Sequence, residues 1–579
     1  MPSFTRSSNS PKQPGSSGSL FNFSLGDSSK MSSFGSSDLP LRNSVAASDR
    51  ASTIQGASTP KGSGHHGIDR VVRELTRYLD LLRPGKSSQQ DGDETTVCGL
   101  HIEELLTTPL FSWSVKLALA DERKRGHTPS SAHFDQFALL GQERNTAATV
   151  ANRASAHNPD GVEPIFLNTN APWSAFLCGS QGSGKSHTLS VMLEGCLLPN
   201  KALGRLPEPL QGIVFHADAL TAGGVCEAAH LCSAGVPVNV LVSPSNYWRL
   251  HQAYSKIEDP KRCLGVKRMK LKPRHLNVER MLALMAFNES SGRVPLYMEV
   301  INKILREMAT SAQQSFQFDY RHFMRLLDQE RLTPDQKGPM NLRLQLLESF
   351  MDVDSSDDND ADMFSPPAGT LTIVDLTDPF IDASSACTLF DICLALFLED
   401  PNTNPTKTGP FHPSNPPPIG RVIALDEAHK YLSATSAASD RFTDSLLTAI
   451  RIQRHAGTRI IVATQEPTVS PKLLDLCSLT LVHRFSSPAW LAALRDHLAG
   501  LSSVAGRNEE EVRALFEEIV TLGVGEGLLF APSAMVGVVV PQGGARGEKR
   551  ILKLGTECLR FRTRPRVTSD GGRSVLAIR

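Results

Sequence analysis

An α/β fold, a parallel sheet flanked by helices, is what this sequence predicts, on two observations. From about residue 165 short apolar strand candidates alternate with helical stretches, which is the rhythm of a parallel sheet covered by helices. Within that rhythm, the run Gly179-Ser180-Gln181-Gly182-Ser183-Gly184-Lys185-Ser186 joins an apolar segment, residues 175–178, to a segment from His187 to Glu194 with no proline before Pro199. Strand, glycine-rich loop and helix in that order are the context in which the pattern G-x-x-x-x-G-K-[ST] cradles phosphates.

Residues 1–66 are rich in Ser, Gly, Pro and Asn with only isolated apolar residues, a composition that buries too little surface to offset chain entropy, so a disordered tail is expected. Residues 67–164 are read as an N-terminal helix and a mixed region. Ile68, Val71, Val72, Leu75, Leu79, Leu81 and Leu82 recur at helical spacing until Pro84-Gly85. The P-loop core is placed at 165–545. Its further strand candidates are residues 212–216, 238–242, 371–375, 422–426, 459–463 and 479–482, whose near-continuous Val/Ile/Leu content suits strands buried on both faces. A helical insertion is expected over 247–350, followed by an acidic loop over 351–368 that lacks calcium-loop spacing. Residues 546–579 read as an Arg-rich extension.

The loop's chemistry follows from its residue types. Gly179, Gly182 and Gly184 let the backbone approach phosphates, and the N–H groups of Ser180, Gln181, Ser183 and His187 and the helix N-terminus supply positive potential. Lys185 would reach the β/γ-phosphates, and Ser186 would place its hydroxyl on Mg²⁺. Residues 422–425 are apolar and end in Asp426-Glu427. There the first acid would hold Mg²⁺ and the second would polarise the attacking water, phosphoryl transfer needing a positioned nucleophile and charge compensation. Gln465, ending another strand, is the sensor candidate. Arg451, Arg454 and Arg484 lie near it in sequence, and a guanidinium binds a transferring phosphoryl group bidentately, from the same chain or a neighbour. The implied ligands are ATP and Mg²⁺.

Sixty Lys+Arg against sixty Asp+Glu leave no net charge, so a nucleic-acid partner would need local patches. Ten cysteines without a C-x-x-C pair suit reduced thiols in an intracellular protein and give no zinc spacing. No apolar run approaches the roughly 20 residues that span a bilayer, so no membrane role is expected; nucleus and cytoplasm are not distinguished.

The P-loop, "VIALDEAHKYL" at 422–432, "IRIQRHAGTRIIVATQEP" at 450–467 and "LLDLCSLTLVHRF" at 473–485 together resemble the HerA/FtsK superfamily of DNA-translocating ATPases over about 165–535. The resemblance implies a RecA-like ASCE P-loop NTPase core and a ring, a homo-oligomer of six, that hydrolyses ATP at subunit interfaces while moving DNA. It assigns Lys185 and Ser186 to phosphate and Mg²⁺, Asp426 and Glu427 to the acid pair, Gln465 to the sensor, and Arg451 or Arg454 to the interface arginine. Two departures stand out: no strand-rich stretch is legible before the P-loop, and the insertion with its acidic loop is unusual.

Two basic features accompany this core. Lys261, Arg262, Lys267, Arg268, Lys270, Lys272 and Arg274 crowd one segment and read either as phosphate contacts or as a solvated loop or import signal; no aromatic residue interleaves, which gives no base-stacking surface. Arg560, Arg562, Arg564 and Arg566 alternate with Phe561, Thr563, Pro565 and Val567, so an extended chain puts four guanidinium groups on one face, as a phosphate-binding comb or as a charged edge strand. Two other functions fit parts of the pattern: a nucleotide-dependent oligomeric scaffold with little turnover, and an Asp-Glu-Ala-His-box RNA helicase. The second needs another RecA-like domain, and none follows residue 485. A GTPase would need Asn-Lys-x-Asp, which is absent.

Overall fold

A computed structural model describes residues 96–125, 133–144, 162–218, 224–285, 296–311, 318–352, 363–399, 419–432, 436–498, 501, 509–539 and 549–571. The expected tail, the helix over 68–82 and the acidic run beyond Asp352 lie outside the described residues. Strands β1 (Thr96–Val97) and β2 (Leu100–His101) pair as a small ribbon. The others are β3 (Leu110–Ser112), β4 (Phe137–Glu143), β5 (Pro164–Leu167), β6 (Ser174–Cys178), β7 (Gly204–Arg205), β8 (Gln211–His216), β9 (Val238–Val242), β10 (Leu264–Arg268), β11 (Leu371–Asp375), β12 (Arg421–Leu425), β13 (Thr458–Thr464), β14 (Leu479–His483), β15 (Glu526–Phe530), β16 (Met535–Val539), β17 (Arg550–Lys553) and β18 (Leu559–Thr563).

These form one 16-stranded sheet in the order β10-β9-β11-β8-β12-β13-β6-β14-β15-β18-β4-β5-β3-β16-β17, with β7 beside β4. From β10 to β14 every pairing is parallel. From β14 onward the pairings are antiparallel, except that β16 runs parallel to β3. The strand pleat sends alternate residues to opposite faces. Phe176, Ile423, Leu425, Ile460 and Val462 join one core, against the helices Ala383–Leu398 and Ala437–Ala456. Ala175, Leu177, Val422, Ala424, Ile461 and Ala463 join the other, against the helix Lys185–Leu197. Apolar residues on both faces are what made these strands legible.

Three expectations are corrected. The stretch before the P-loop is strand-rich: β3, β4 and β5 are part of the main sheet, and they were obscured because β3 and β5, at three and four residues, are too short to carry a period. Residues 247–268 are not part of a helical insertion, since the helix Tyr247–Tyr254 leads into β10, which pairs in parallel with β9. The helices Val278–Met285, Leu296–Ser311, Tyr320–Gln329 and Pro334–Phe350 follow, packing around a core of their own that includes Ile301, Phe323 and Leu347. The segment after 545 is no appendage, because β18 is inside the sheet and β17 forms one of its edges.

Candidate nucleotide site

The loop after β6, the acids after β12 and the amide after β13 all leave the sheet at the same edge, because these strands are parallel neighbours. In open α/β sheets that carboxyl edge is where ligands bind. Gly184 has φ 109° and directly precedes the helix Lys185–Leu197. A Cβ there would stand 2.6 Å from Gly525 N, so close backbone approach as well as positive φ demands glycine. The loop is clamped from two sides: Ser180 N and Oγ donate to Arg484 O at 2.8 and 2.9 Å, and Gly525 N donates to Ser183 O at 3.0 Å. Neither Gly525 nor the Arg484 carbonyl was singled out from sequence as a partner of the loop; only tertiary pairing brings β14 and the turn before β15 to it.

Lys185 is buried, and its Nζ donates to Ser180 O at 3.0 Å. Burial pulls this ammonium down from its ordinary value, against the nearby Glu427 and Asp426 carboxylates that hold it up. Asp426 is buried; its Oδ2 lies 3.2 Å from His216 Nδ1, while Oδ1 is buried with no partner. Burial would raise this carboxyl, but the hydrogen bond and charge of His216 and the Lys430 and Lys185 ammonium groups outweigh it and hold it below the usual range. The His216 imidazole is depressed by burial yet ends raised to about 8 through Asp426 and Asp375. Glu427 takes φ 50°, a left-handed conformation costly for a side-chain-bearing residue. Its Oε2 accepts from Gln465 Nε2 at 2.8 Å and lies 3.5 Å from His429 Nδ1. The structure therefore brings the lysine, the two acids and the amide together at one sheet edge.

The residues present fit a Mg²⁺-nucleotide. The orphaned Asp426 Oδ1 and an equally unpartnered Ser183 Oγ are buried polar atoms that a ligand would satisfy. His187 does not point to that ligand, since its Nε2 is 2.8 Å from Arg564 O. Arg451 and Arg454 are exposed in the last turns of the helix that feeds the start of β13. They sit toward the start of β13, a strand about 20 Å long at some 3.3 Å per residue, whereas the acid pair and Gln465 follow the far ends of β12 and β13. Arg484, by contrast, is at the loop itself.

The arginine comb does not exist. Strand β18 is paired on both sides, so it is no edge. Arg562 is exposed and lines a cleft of about 650 Å³ with His187 and Gly525. Arg564 turns inward to Glu194, 2.7 Å away on the phosphate-loop helix and fully buried. Arg566 pairs with Glu227 and Asp570. In the other basic segment Lys270 Nζ is used internally, donating to Ser349 O and Met351 O at 3.1 Å, and Lys272 is half-buried beside a one-turn helix. Lys267 and Arg268 are exposed at the end of β10. Aromatic residues do join them: the Arg268 guanidinium lies 4.3 Å from the Tyr247 ring centroid and 5.6 Å from that of Trp248, which is 73% exposed. Twenty residues of sequence separate these groups, which hid the pairing.

Among the described residues no helix is long and apolar enough to cross a membrane, and all ten cysteines are free. No family model and no curated protein matches the chain. Among solved structures it is similar to VirB4 of Thermoanaerobacter pseudethanolicus, at 12% identity over 75% of this chain and 97% of that one, with a TM-score of 0.42. It is also similar to the plasmid coupling protein TrwB in complex with the ATP analogue ADPNP, at 12% identity over 76% and 98%, TM-score 0.36. The DNA-packaging ATPase B204 from Sulfolobus turreted icosahedral virus matches at 13% identity over 62% and 93%, TM-score 0.26. By its own strand order, glycine-rich loop and strand-end acids, the chain carries a P-loop core: a parallel sheet flanked by helices.

Proposed function

We propose that this protein is an ATP-hydrolysing motor of the HerA/FtsK type that works as a homo-oligomer on nucleic acid. The observation that carries the reading is the convergence of Lys185, Asp426 Oδ1, Glu427 and Gln465 at one sheet edge. Bound Mg²⁺ would neutralise phosphate charge, with Ser186 and Asp426 as its protein ligands. Lys185 exchanges its bond to Ser180 O for the phosphates, and the loop N–H groups orient them. Glu427, fixed by Gln465, accepts the proton of the attacking water. Because Arg451 and Arg454 stand away from their own site, an arginine of that pair serves a neighbouring subunit, which makes assembly part of the chemistry. Lys267, Arg268, Tyr247 and Trp248 supply phosphate contact and a stacking face.

The test is ATP turnover by wild type and Glu427→Gln, with duplex DNA, single-stranded DNA, RNA or no polymer. Turnover by the wild type should exceed that of the variant by about 10²–10⁴-fold, the usual range for a general base, while nucleotide binding persists. Equal turnover would remove Glu427 from the chemistry. Assembly with ATP but no hydrolysis by the wild type would favour the scaffold.

A further inference from the structure

Beneath the nucleotide site, two side chains that the proposed reaction does not use, His216 and Cys226, gather on Asp426, which it does use. His216 ends β8, Asp426 follows the neighbouring β12, and Cys226 caps the start of the 3₁₀ helix Glu227–Ala234. Their ligand atoms all lie within 4.8 Å of one another, and all three residues are buried. Asp426 Oδ2 is 3.2 Å from His216 Nδ1 and 3.8 Å from Cys226 Sγ. Ligands on a tetrahedral zinc at about 2.0–2.3 Å stand about 3.5 Å from one another, a spacing these two distances bracket. The surroundings hold the thiol in place: Cys226 N donates to Tyr254 Oη at 3.0 Å, and that hydroxyl donates to Asp375 Oδ2 at 2.6 Å.

We infer that His216, Cys226 and Asp426 form a binding site for a thiophilic divalent cation, zinc or its analogues, on the opposite side of the Asp426 carboxylate from the nucleotide. The donor set decides the class of ion. Mg²⁺ takes oxygen ligands in octahedral array, whereas a mixed thiolate, imidazole and carboxylate set selects zinc-like ions. Asp426 is then two-faced: Oδ1, free of protein partners, serves the nucleotide metal, and Oδ2 serves the second site. On binding, the S–H bond of Cys226 and the Nδ1–H bond of His216 both break, the two protons leave to solvent, and Cys226 Sγ, His216 Nδ1 and Asp426 Oδ2 each donate a pair to the cation; no redox change occurs. A dication on Oδ2 drains negative charge from the carboxylate that the ATPase reading assigns to Mg²⁺, so occupancy should depress turnover. The role of Oδ1 toward a nucleotide metal and this effect on turnover rest on that reading; the three-ligand site itself does not.

The test uses the full-length, reduced, metal-free protein titrated with Co²⁺. The expected result is thiolate-to-cobalt charge-transfer absorption that saturates at one equivalent, is lost in Cys226→Ser, and is kept in Cys232→Ser, a neighbouring buried thiol. Absence of the band in the wild type, or its survival in Cys226→Ser, overturns the site. Should Cys226→Ser not fold, ¹¹³Cd resonance of the wild type replaces it: a shift in the range of one thiolate with nitrogen and oxygen donors supports the site, and an all-oxygen shift overturns it. Zn²⁺ should lower wild-type ATP turnover at least tenfold, reversibly by chelation, and leave Cys226→Ser several-fold less sensitive. If the wild type has no turnover, the ATPase reading fails while the cobalt band still decides the site.

Discussion

Replacing Arg564 by methionine leaves the carboxylate of Glu194 without its ion-pair partner on the phosphate-loop helix. Glu194 is fully buried, and the Arg564 side chain is 7% exposed, so solvent cannot take over. Removing one member of such a pair costs about 3–5 kcal/mol. Val567 N, Thr568 N and Thr568 Oγ1 still donate to Glu194 Oε1, at 3.0, 3.0 and 2.6 Å, which puts the expected loss near the lower figure. Arg564→Lys keeps the charge and loses chiefly the 2.8 Å bond from Nε to Leu139 O, a loss of about 1 kcal/mol. Amide hydrogen exchange in the helix Lys185–Leu197 reads these numbers where they arise. About 3 kcal/mol corresponds to exchange roughly 150-fold faster, at about 1.4 kcal/mol per factor of ten. Equal effects of lysine and methionine, or less than tenfold acceleration by methionine, would show that buried charge does not anchor this helix.

Gly184→Ala should weaken ATP binding more than tenfold, because its Cβ meets Gly525 backbone, while Gly182→Ala meets nothing within 4 Å and carries only the left-handed penalty of about 1–2 kcal/mol; nucleotide titration of both variants separates the two causes. Trp248→Ala should weaken single-stranded nucleic-acid binding by about 1–3 kcal/mol with an unchanged salt slope, whereas Lys267→Gln should lower that slope by about 1. A Trp248 variant that binds as the wild type removes the stacking face.

Legibility in the sequence tracked how much of the physics was local. Strands β6, β8, β9 and β11 to β14 announced themselves because both faces are apolar and the chemistry sits at their ends: Lys185, Asp426, Glu427 and Gln465 follow their strands within a few residues. Residues whose roles depend on distant partners did not. Arg564 looked solvent-facing by alternation, yet Glu194 turns it inward. His216 and Cys226 meet Asp426 only through sheet pairing and a turn, and the aromatic pair beside Arg268 comes from the preceding helix. Strands β3 to β5 and β15 to β18 take their identity from pairing with one another, which no single window of sequence contains.

The position of β18 ties assembly of the molecule to the order in which it is synthesised. This strand joins β15 to β4, and Arg564 bonds to Leu139, 425 positions earlier. During translation β4 emerges long before β18, which completes the pairing along β4 that β7 begins. Contacts of such separation form slowly, and unsatisfied strand edges waiting for them invite association with other chains. The stretch of β4 that β18 covers therefore stays open until β18 has left the ribosome, and only then can Arg564 close on Glu194 under the phosphate-loop helix.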